Sequence, residues 1–220
     1  MRKKGGKPPP GRHTVTNFGK SGSGPPPAAG RAARSRVLRI IGGSWRGRRL
    51  RFPPQAEIRP TPDRIRETLF NWLGPRVPGA RCLDLFAGSG ALGLEALSRG
   101  AAQATFVERD AIAVRELRAR LTEWRAVGAQ VEHSDALRFL GAAVQPFDIV
   151  FLDPPFASTL LAESCRMLEE RHWLGAHALV YIETDARTGL PPLPPTWTVT
   201  KAKQAGAVGY HLITTGVGVE

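Results

Sequence analysis

The sequence predicts an α/β fold in which a mostly parallel sheet is covered by helices on both faces. Three observations carry that prediction. Short apolar runs alternate regularly with amphipathic segments between Cys82 and Ile182, a pattern that calls for parallel strands joined by crossover helices. The glycine turn Gly88-Ser89-Gly90-Ala91-Leu92-Gly93 follows the first of these runs. A later apolar run, Phe147 to Leu152, stops at Asp153-Pro154-Pro155-Phe156, and two prolines without N–H groups cannot extend a central strand.

The elements follow in order. Residues 1–36 are rich in Gly, Pro, Ser, Arg and Lys, with Pro8-Pro9-Pro10 and Pro25-Pro26-Pro27, and read as a disordered basic leader. Residues 37–220 read as a single domain whose first part, 37–58, is a hairpin: Leu38 to Leu50 gives two short strands around a glycine turn. The segment 61–73 reads as a helix with Thr61 at the N-cap and Pro62 in the first helical position, and Ile65, Leu69, Trp72 and Leu73 recur at helical spacing.

Beyond Gly74-Pro75, strands are expected at 82–86, 104–107, 130–132, 147–152 and 178–182. Helices are expected at 91–98, 111–125, 135–141 and 159–170, the second of them with Val114, Leu117, Leu121 and Trp124 on one face. After the proline cluster 191–195, runs 197–200 and 210–214 have no helix between them and should pair antiparallel at one edge of the sheet.

Charge is distributed unevenly. Residues 1–51 hold 14 of the 31 Lys and Arg and no acid, so the rest carries 17 basic against 19 acidic residues, a balance of −2. The net +12 therefore belongs to the N-terminal quarter and points to a polyanionic partner. No apolar segment follows Arg2-Lys3-Lys4, and no apolar run approaches the length of a membrane span, so a cytoplasmic protein without membrane attachment is expected. Cys82 and Cys165 are too few for a disulfide framework or a thiolate metal site, and the five histidines show no metal-ligand spacing. No metal is expected.

Gly88, Gly90 and Gly93 satisfy the G-x-G-x-x-G pattern, and Glu108 ends the next strand twenty residues after Gly88. A dinucleotide would fit this arrangement, and so would S-adenosylmethionine, with Phe86, Gly88, Ser89 and Gly90 forming the loop and Glu108 accepting both ribose hydroxyls. Asp84 favours the methyl donor. A carboxylate inside an apolar strand is costly unless it is bonded, and it can serve a cationic ligand directly or by orienting the loop, whereas a pyrophosphate gains nothing from it. Asp135, after the third strand, is placed either to take an adenine amino group or to cap the following helix.

The Asp153 turn supplies an acidic side chain, the Pro154 carbonyl and the Phe156 ring on one rigid bend at the carboxyl edge of the sheet, where α/β folds place their chemistry. Such a turn can accept hydrogen bonds from an amino group while the ring stacks on its heterocycle. Guanine presents N1–H beside its N2 amino group, and a carboxylate can accept from both; adenine presents an acceptor beside its amino group. Similar turns serve adenine and cytosine enzymes.

With these residues in place, the chain resembles the bacterial 16S ribosomal RNA guanine-N2 methyltransferases of the RsmD type. The resemblance spans Leu38 to about Thr214. It is carried by Arg39-Ile40-Ile41-Gly42-Gly43-Ser44-Trp45-Arg46-Gly47-Arg48, by Arg59-Pro60-Thr61 with 63–73, by Asp84 to Ala96 around the glycine turn, and by Asp153-Pro154-Pro155-Phe156. It implies a class I (Rossmann-like) methyltransferase fold, a seven-stranded sheet with one antiparallel edge strand. It further implies S-adenosylmethionine as cofactor, and methylation of guanine 966, in the family's RNA numbering, in 16S RNA or a small-subunit assembly particle. A monomer is expected. The leader is longer and more basic than the family pattern requires, and the last few residues match nothing in it.

Under this resemblance Asp153, Pro154 and Phe156 are the catalytic set. Thr61, Arg64, Glu67 and Asn71 would share one side of a helix closing over the cofactor, with Thr61 and Asn71 touching it. Arg39, Arg46, Arg48, Arg49 and Arg51, with Arg64, would contact RNA phosphates, while Trp45 would either stack on RNA or anchor the hairpin. Three other readings stay open: an N6-adenine methyltransferase acting on DNA or RNA, a nicotinamide dehydrogenase, and an RNA-binding protein with an inactive methyltransferase fold.

Overall fold

The computed structural model describes Met1 and residues 36–52, 61–156 and 158–216. Residues 2–35 of the leader, the end of the hairpin at 53–58 and the last four residues lie outside the described residues, while Arg36, expected in the leader, opens the first strand. All elements below belong to the unit Arg34–Glu220.

Two strands, β1 (Arg36–Arg39) and β2 (Arg49–Phe52), form the N-terminal antiparallel hairpin with Leu38 opposite Leu50. Helix α1 covers Asp63–Leu73. Seven strands then form one sheet: β3 (Arg81–Asp84), β4 (Gln103–Glu108), β5 (Ala129–His133), β6 (Phe147–Leu152), β7 (Leu174–Asp185), β8 (Thr198–Ala205) and β9 (Val208–Thr214), in the spatial order β5-β4-β3-β6-β7-β9-β8. The pairs β3·β4, β3·β6, β4·β5 and β6·β7 are parallel, while β9 runs antiparallel to β7 and β8 and the β8–β9 hairpin closes that edge.

Helices α2 (Ala91–Ser98), α3 (Ala111–Glu123), α4 (Ala136–Leu140) and α5 (Leu160–Glu170) are the crossovers. Side-chain alternation sorts them into two layers. Cys82, Phe106, Ile149, Phe151, Leu179 and Tyr181 pack with α1, α2 and α3, and the hairpin residues Leu38, Ile40 and Leu50 join that layer. Leu83, Val107, Val150, Leu152, Val180 and Ile182 point the other way and pack with α4 and α5. Burial on both faces is why these strands read as continuous apolar runs.

Several boundaries differ from expectation: β3 ends at Asp84 rather than 86, β7 spans Leu174–Asp185 rather than 178–182, and two others have a side-chain cause. Thr61 is not the cap of α1: Pro62 occupies that position with no side-chain cap bond, and the Thr61 hydroxyl instead donates to Glu183 Oε1 at 2.8 Å. Trp197 precedes β8 rather than starting it, because its ring is buried and its Nε1 donates to Glu169 Oε2 at 2.9 Å.

Candidate active site

A cleft of about 1000 Å³ opens at the carboxyl ends of β3, β4, β6 and β7. Its volume is at the upper end of small-molecule sites, about 300–1,000 Å³, so it has room for a nucleoside cofactor and part of a second ligand.

On one side lies the glycine turn between β3 and α2. Gly88 and Ser89 line the cleft, as do Phe86 and Asp84. Gly90 does not line it; it caps α2 in the left-handed region, with φ of 74°, and a Cβ there would come within 2.7 Å of Leu117 Cδ1. In this conformation it makes the turn that presents Gly88 and Ser89 to the cleft. Gly93 allows close packing of α2 on β4, since a Cβ would lie 2.3 Å from Phe106 Cε1.

Two carboxylates hold the turn in place. Glu108 Oε2 accepts the Gly88 amide at 2.7 Å, and Oε1 accepts the Asp110 amide at 2.7 Å. Asp84 Oδ2 accepts the Gly93 amide at 3.0 Å. Asp84 thus orients the first turn of α2 while facing the cleft. Burial pushes its carboxyl up to about 7; the Gly93 bond opposes the shift and the charge of Glu108 adds to it. Asp135 lines the same cleft and caps α4, accepting the amides of Leu137 and Arg138 through Oδ1, so its two anticipated roles are compatible.

Across the cleft stands the turn that ends β6. Asp153 is half-buried, Pro154 is buried, and Phe156 is exposed on the cleft wall. The Pro155 carbonyl is used internally, accepting from the Ser158 amide at 3.2 Å and its hydroxyl at 2.7 Å, whereas the Pro154 carbonyl has no donor among the described residues. Burial pushes the Asp153 carboxyl well above the usual range; the charges of Glu183 and Asp84 push it further, and the Thr61 hydroxyl pulls it back.

Sequence reasoning missed Glu183, which lines the cleft beside Asp153 at 3 % exposure and accepts from both Thr61 Oγ1 at 2.8 Å and Tyr181 OH at 2.9 Å. The signal was present: an acid follows the apolar run 178–182, as Asp84 and Glu108 sit at the ends of theirs. Also missed were Arg109 and Ile112 at the start of α3 and the β8–β9 tip, Ala205 to Val208, all of which line the cleft.

Of the α1 residues expected at the cofactor, Thr61 and Arg64 border the cleft, but Asn71 and Glu67 are exposed outside it. Asn71 lies seven residues beyond Arg64, roughly 10 Å further along the helix.

Arg46 and Arg48 in the hairpin loop and Arg49 at the start of β2 are exposed. Arg39 is exposed too, with Nε 3.2 Å from Asp63 Oδ2, and nothing is described of the Arg51 side chain. Trp45 is partly buried against Trp124, ring centroids 5.3 Å apart, and Arg48 lies 5.3 Å from the centroid of the same Trp124 ring. This contact anchors the loop on the core. The loop is fastened to α2 by Glu95, which accepts the Ile41 and Gly42 amides at 2.8 Å each, and by Ser98, whose carbonyl accepts the Ser44 amide at 2.7 Å. Glu95 is fully buried and also meets Arg66 and Arg99 at 3.4 and 2.8 Å.

Among the described residues no helix is long and apolar enough to cross a membrane, and no group of three or more His, Cys, Asp or Glu could hold a metal ion.

Comparison with known proteins bears on this arrangement. The family described as Conserved hypothetical protein 95 matches residues 38–214. Ribosomal RNA small subunit methyltransferase D of Escherichia coli strain K12 is 50 % identical over 175 residues, covering 80 % of this chain and 88 % of that protein. Its namesake in Haemophilus influenzae is 45 % identical over 179 residues, with 80 % and 92 % covered. The solved structure of the yhhF protein of Escherichia coli superposes with a TM-score of 0.77 at 47 % identity, covering 83 % of this chain and all of that one.

Proposed function

The chain belongs to the RsmD family of Conserved hypothetical protein 95, and from that premise we propose that it uses S-adenosylmethionine to methylate the exocyclic N2 of one guanine in 16S ribosomal RNA. The expected target is guanine 966 in the family's RNA numbering, met in 16S RNA or a small-subunit assembly particle, by a monomer acting in the cytoplasm. One observation carries the reading. The Asp153 turn, with a Pro154 carbonyl that accepts from no described residue, shares a cleft with the glycine turn that Glu108 and Asp84 hold in place.

The residues fit the methyl donor. Glu108 would take the ribose hydroxyls, Asp135 the adenine amino group, and Asp84 would favour the cationic end while fixing α2. The donor supplies an electrophilic methyl group on a sulfonium that leaves as a neutral thioether.

The target base must leave its stack, at a cost of a few kcal/mol. Phe156, exposed on the cleft wall, would recover roughly 1–3 kcal/mol by stacking on it. The N2 lone pair is delocalised into the ring. Hydrogen bonds from N2–H to Asp153 and to the Pro154 carbonyl would draw the nitrogen toward a pyramidal geometry with its lone pair aimed at the methyl carbon. When the N–C bond forms, the nitrogen carries one proton too many, and it passes to water. Asp153 need not be a strong base, because most of the acceleration comes from holding the nitrogen in line. Arg46, Arg48 and Arg49 would neutralise phosphates while Trp45 and Glu95 fix the loop that carries them.

Mass mapping of small-subunit RNA from a strain lacking the gene, before and after incubation with purified protein and labelled S-adenosylmethionine, tests the proposal. A single N2-methylguanine restored by the protein is expected. Label on an adenine N6 would replace this reading with the alternative, and no label in RNA or particle would overturn both.

A further inference from the structure

Glu183 has no place in the mechanism just described, yet it is a carboxylate built into the cleft next to the reacting turn. Leu152 pairs with Ile182 in the parallel β6·β7 ladder, so the next residues, Asp153 and Glu183, stand side by side, with neighbouring strands about 4.8 Å apart. Alternation puts both on the α1 face with Phe151 and Tyr181. The two donors that reach Glu183, Thr61 Oγ1 and Tyr181 OH, both bind Oε1. Oε2 receives no hydrogen bond among the described residues and is not among the buried polar atoms left without a partner, so it remains open to the cleft.

The reacting edge of guanine carries three donor hydrogens, one on N1 and two on N2. The carboxyl edge of the sheet offers three acceptors facing one cleft: Asp153, the Pro154 carbonyl beside it in the chain, and Glu183 Oε2 on the neighbouring strand. We propose that Glu183 Oε2 accepts the N1–H of the target guanine, leaving Asp153 and the Pro154 carbonyl to the two N2 hydrogens, and that Glu183 thereby sets the base specificity of the site. This rests on the guanine-N2 reading above. Adenine would bring an unprotonated N1 against that carboxylate oxygen, and acceptor would face acceptor. The double donation onto Oε1 suits the role, because it opposes the burial that raises the Glu183 carboxyl and fixes the direction in which Oε2 points.

The test uses 16S RNA ligated from fragments and assembled into small-subunit particles, with guanine or 2-aminopurine at the target. The analogue keeps the amino group at C2 and lacks N1–H. Glu183→Gln preserves an acceptor for Thr61 and Tyr181 but places an amide at the second position. Glu183→Asp keeps the charge and shortens the reach, and serves if the first variant folds poorly. For the wild-type protein, kcat/KM should fall roughly tenfold to a hundredfold from guanine to 2-aminopurine, the effect expected for one charged hydrogen bond. In either variant that gap should shrink to about threefold or less, mostly through slower methylation of guanine. A purely structural Glu183 would lower stability and leave the ratio between the two bases unchanged. A gap as wide in the variants as in the wild type, with guanine N2 still methylated, overturns the role of Glu183 and leaves the guanine-N2 reading standing. Absence of N2-methylguanine with the wild-type protein overturns that reading itself.

Discussion

The Thr61 hydroxyl donates to Glu183 Oε1 at 2.8 Å across 122 positions of sequence, tying the entrance of α1 to the end of β7 directly beside the Asp153 turn. The bond matters because three carboxyl groups, Asp84, Asp153 and Glu183, are crowded into one poorly solvated corner and each is raised above its ordinary pKa, chiefly by burial. Thr61 and Tyr181 are the neutral donors that temper the crowding at Glu183.

The pH dependence of methyl transfer follows from this corner. Asp153 must be ionised to accept the amino hydrogens, and its pKa is raised by burial first and by Glu183 second. Its ionised fraction, and with it kcat/KM, should rise with pH through a value above the ordinary carboxylate range and level off beyond it. Glu183→Gln removes the nearest negative charge and should move this acid limb to lower pH. Thr61→Val removes a donor that lowers both groups and should move it higher. Profiles that coincide for all three proteins would remove Asp153 from control of the rate.

Asp153→Ala should abolish methyl transfer and leave S-adenosylmethionine binding within a few fold, since the cofactor loop is held by Glu108 and Asp84 from the other side of the cleft. Calorimetry with the cofactor separates the two effects. Loss of binding would mean that the turn also holds the donor.

Asp84 is 4 % exposed, and its raised pKa makes it a stability liability. Between the unfolded value of 3.8 and the folded value of about 7 the native state holds more protons than the unfolded state, so stability contributed at this position declines as pH rises across that window. Asp84→Asn keeps an oxygen for the Gly93 amide and removes the buried charge. It should raise the stability of the ligand-free protein at pH 8 by roughly 1–4 kcal/mol and change it little at low pH, where the wild-type group is neutral. Cofactor affinity should fall. Urea unfolding on both sides of the window, with cofactor titration, decides it; an equal effect at both pH values would place the cost elsewhere.

Replacing Arg46, Arg48 and Arg49 together with Gln should weaken RNA binding and flatten its salt dependence by about 0.7–0.9 in the logarithmic slope for each phosphate that is no longer neutralised. Cofactor binding should be unaffected, because the loop is fastened to the rear of α2 through Glu95 and Ser98, away from the glycine turn. An unchanged slope would locate the RNA surface on another part of the molecule.

Much of this was legible in the sequence. The predicted limits of α2 and β6 coincide with the observed ones because periodicity and breakers agree there: a glycine turn before Ala91, an acid and two prolines after Leu152. The start of α1 was not legible, because Thr61 has a good cap residue's chemistry and spends it on a partner 122 residues away. Asn71, expected at the cofactor from the family resemblance, shares a helical face with Arg64 but stands about two turns, roughly 10 Å, further along α1 and does not line the cleft. Trp45 was ambiguous for a similar reason: an aromatic in an arginine-rich loop is equally suited to stacking on a base or on Trp124, and only packing distinguishes them.

By itself the sequence determined the layered α/β fold, the glycine turn with its distal acid, the Asp153 turn and the basic hairpin, because each is written in neighbouring residues whose backbone preferences and periodicity act locally. What only the tertiary structure decided is which residues meet across strands. Register in the β6·β7 ladder brings Glu183 beside Asp153, and buried Glu95 joins the hairpin to α2. Those pairings depend on how separate segments align and on charges sharing a poorly solvated space, neither of which any single stretch of chain encodes.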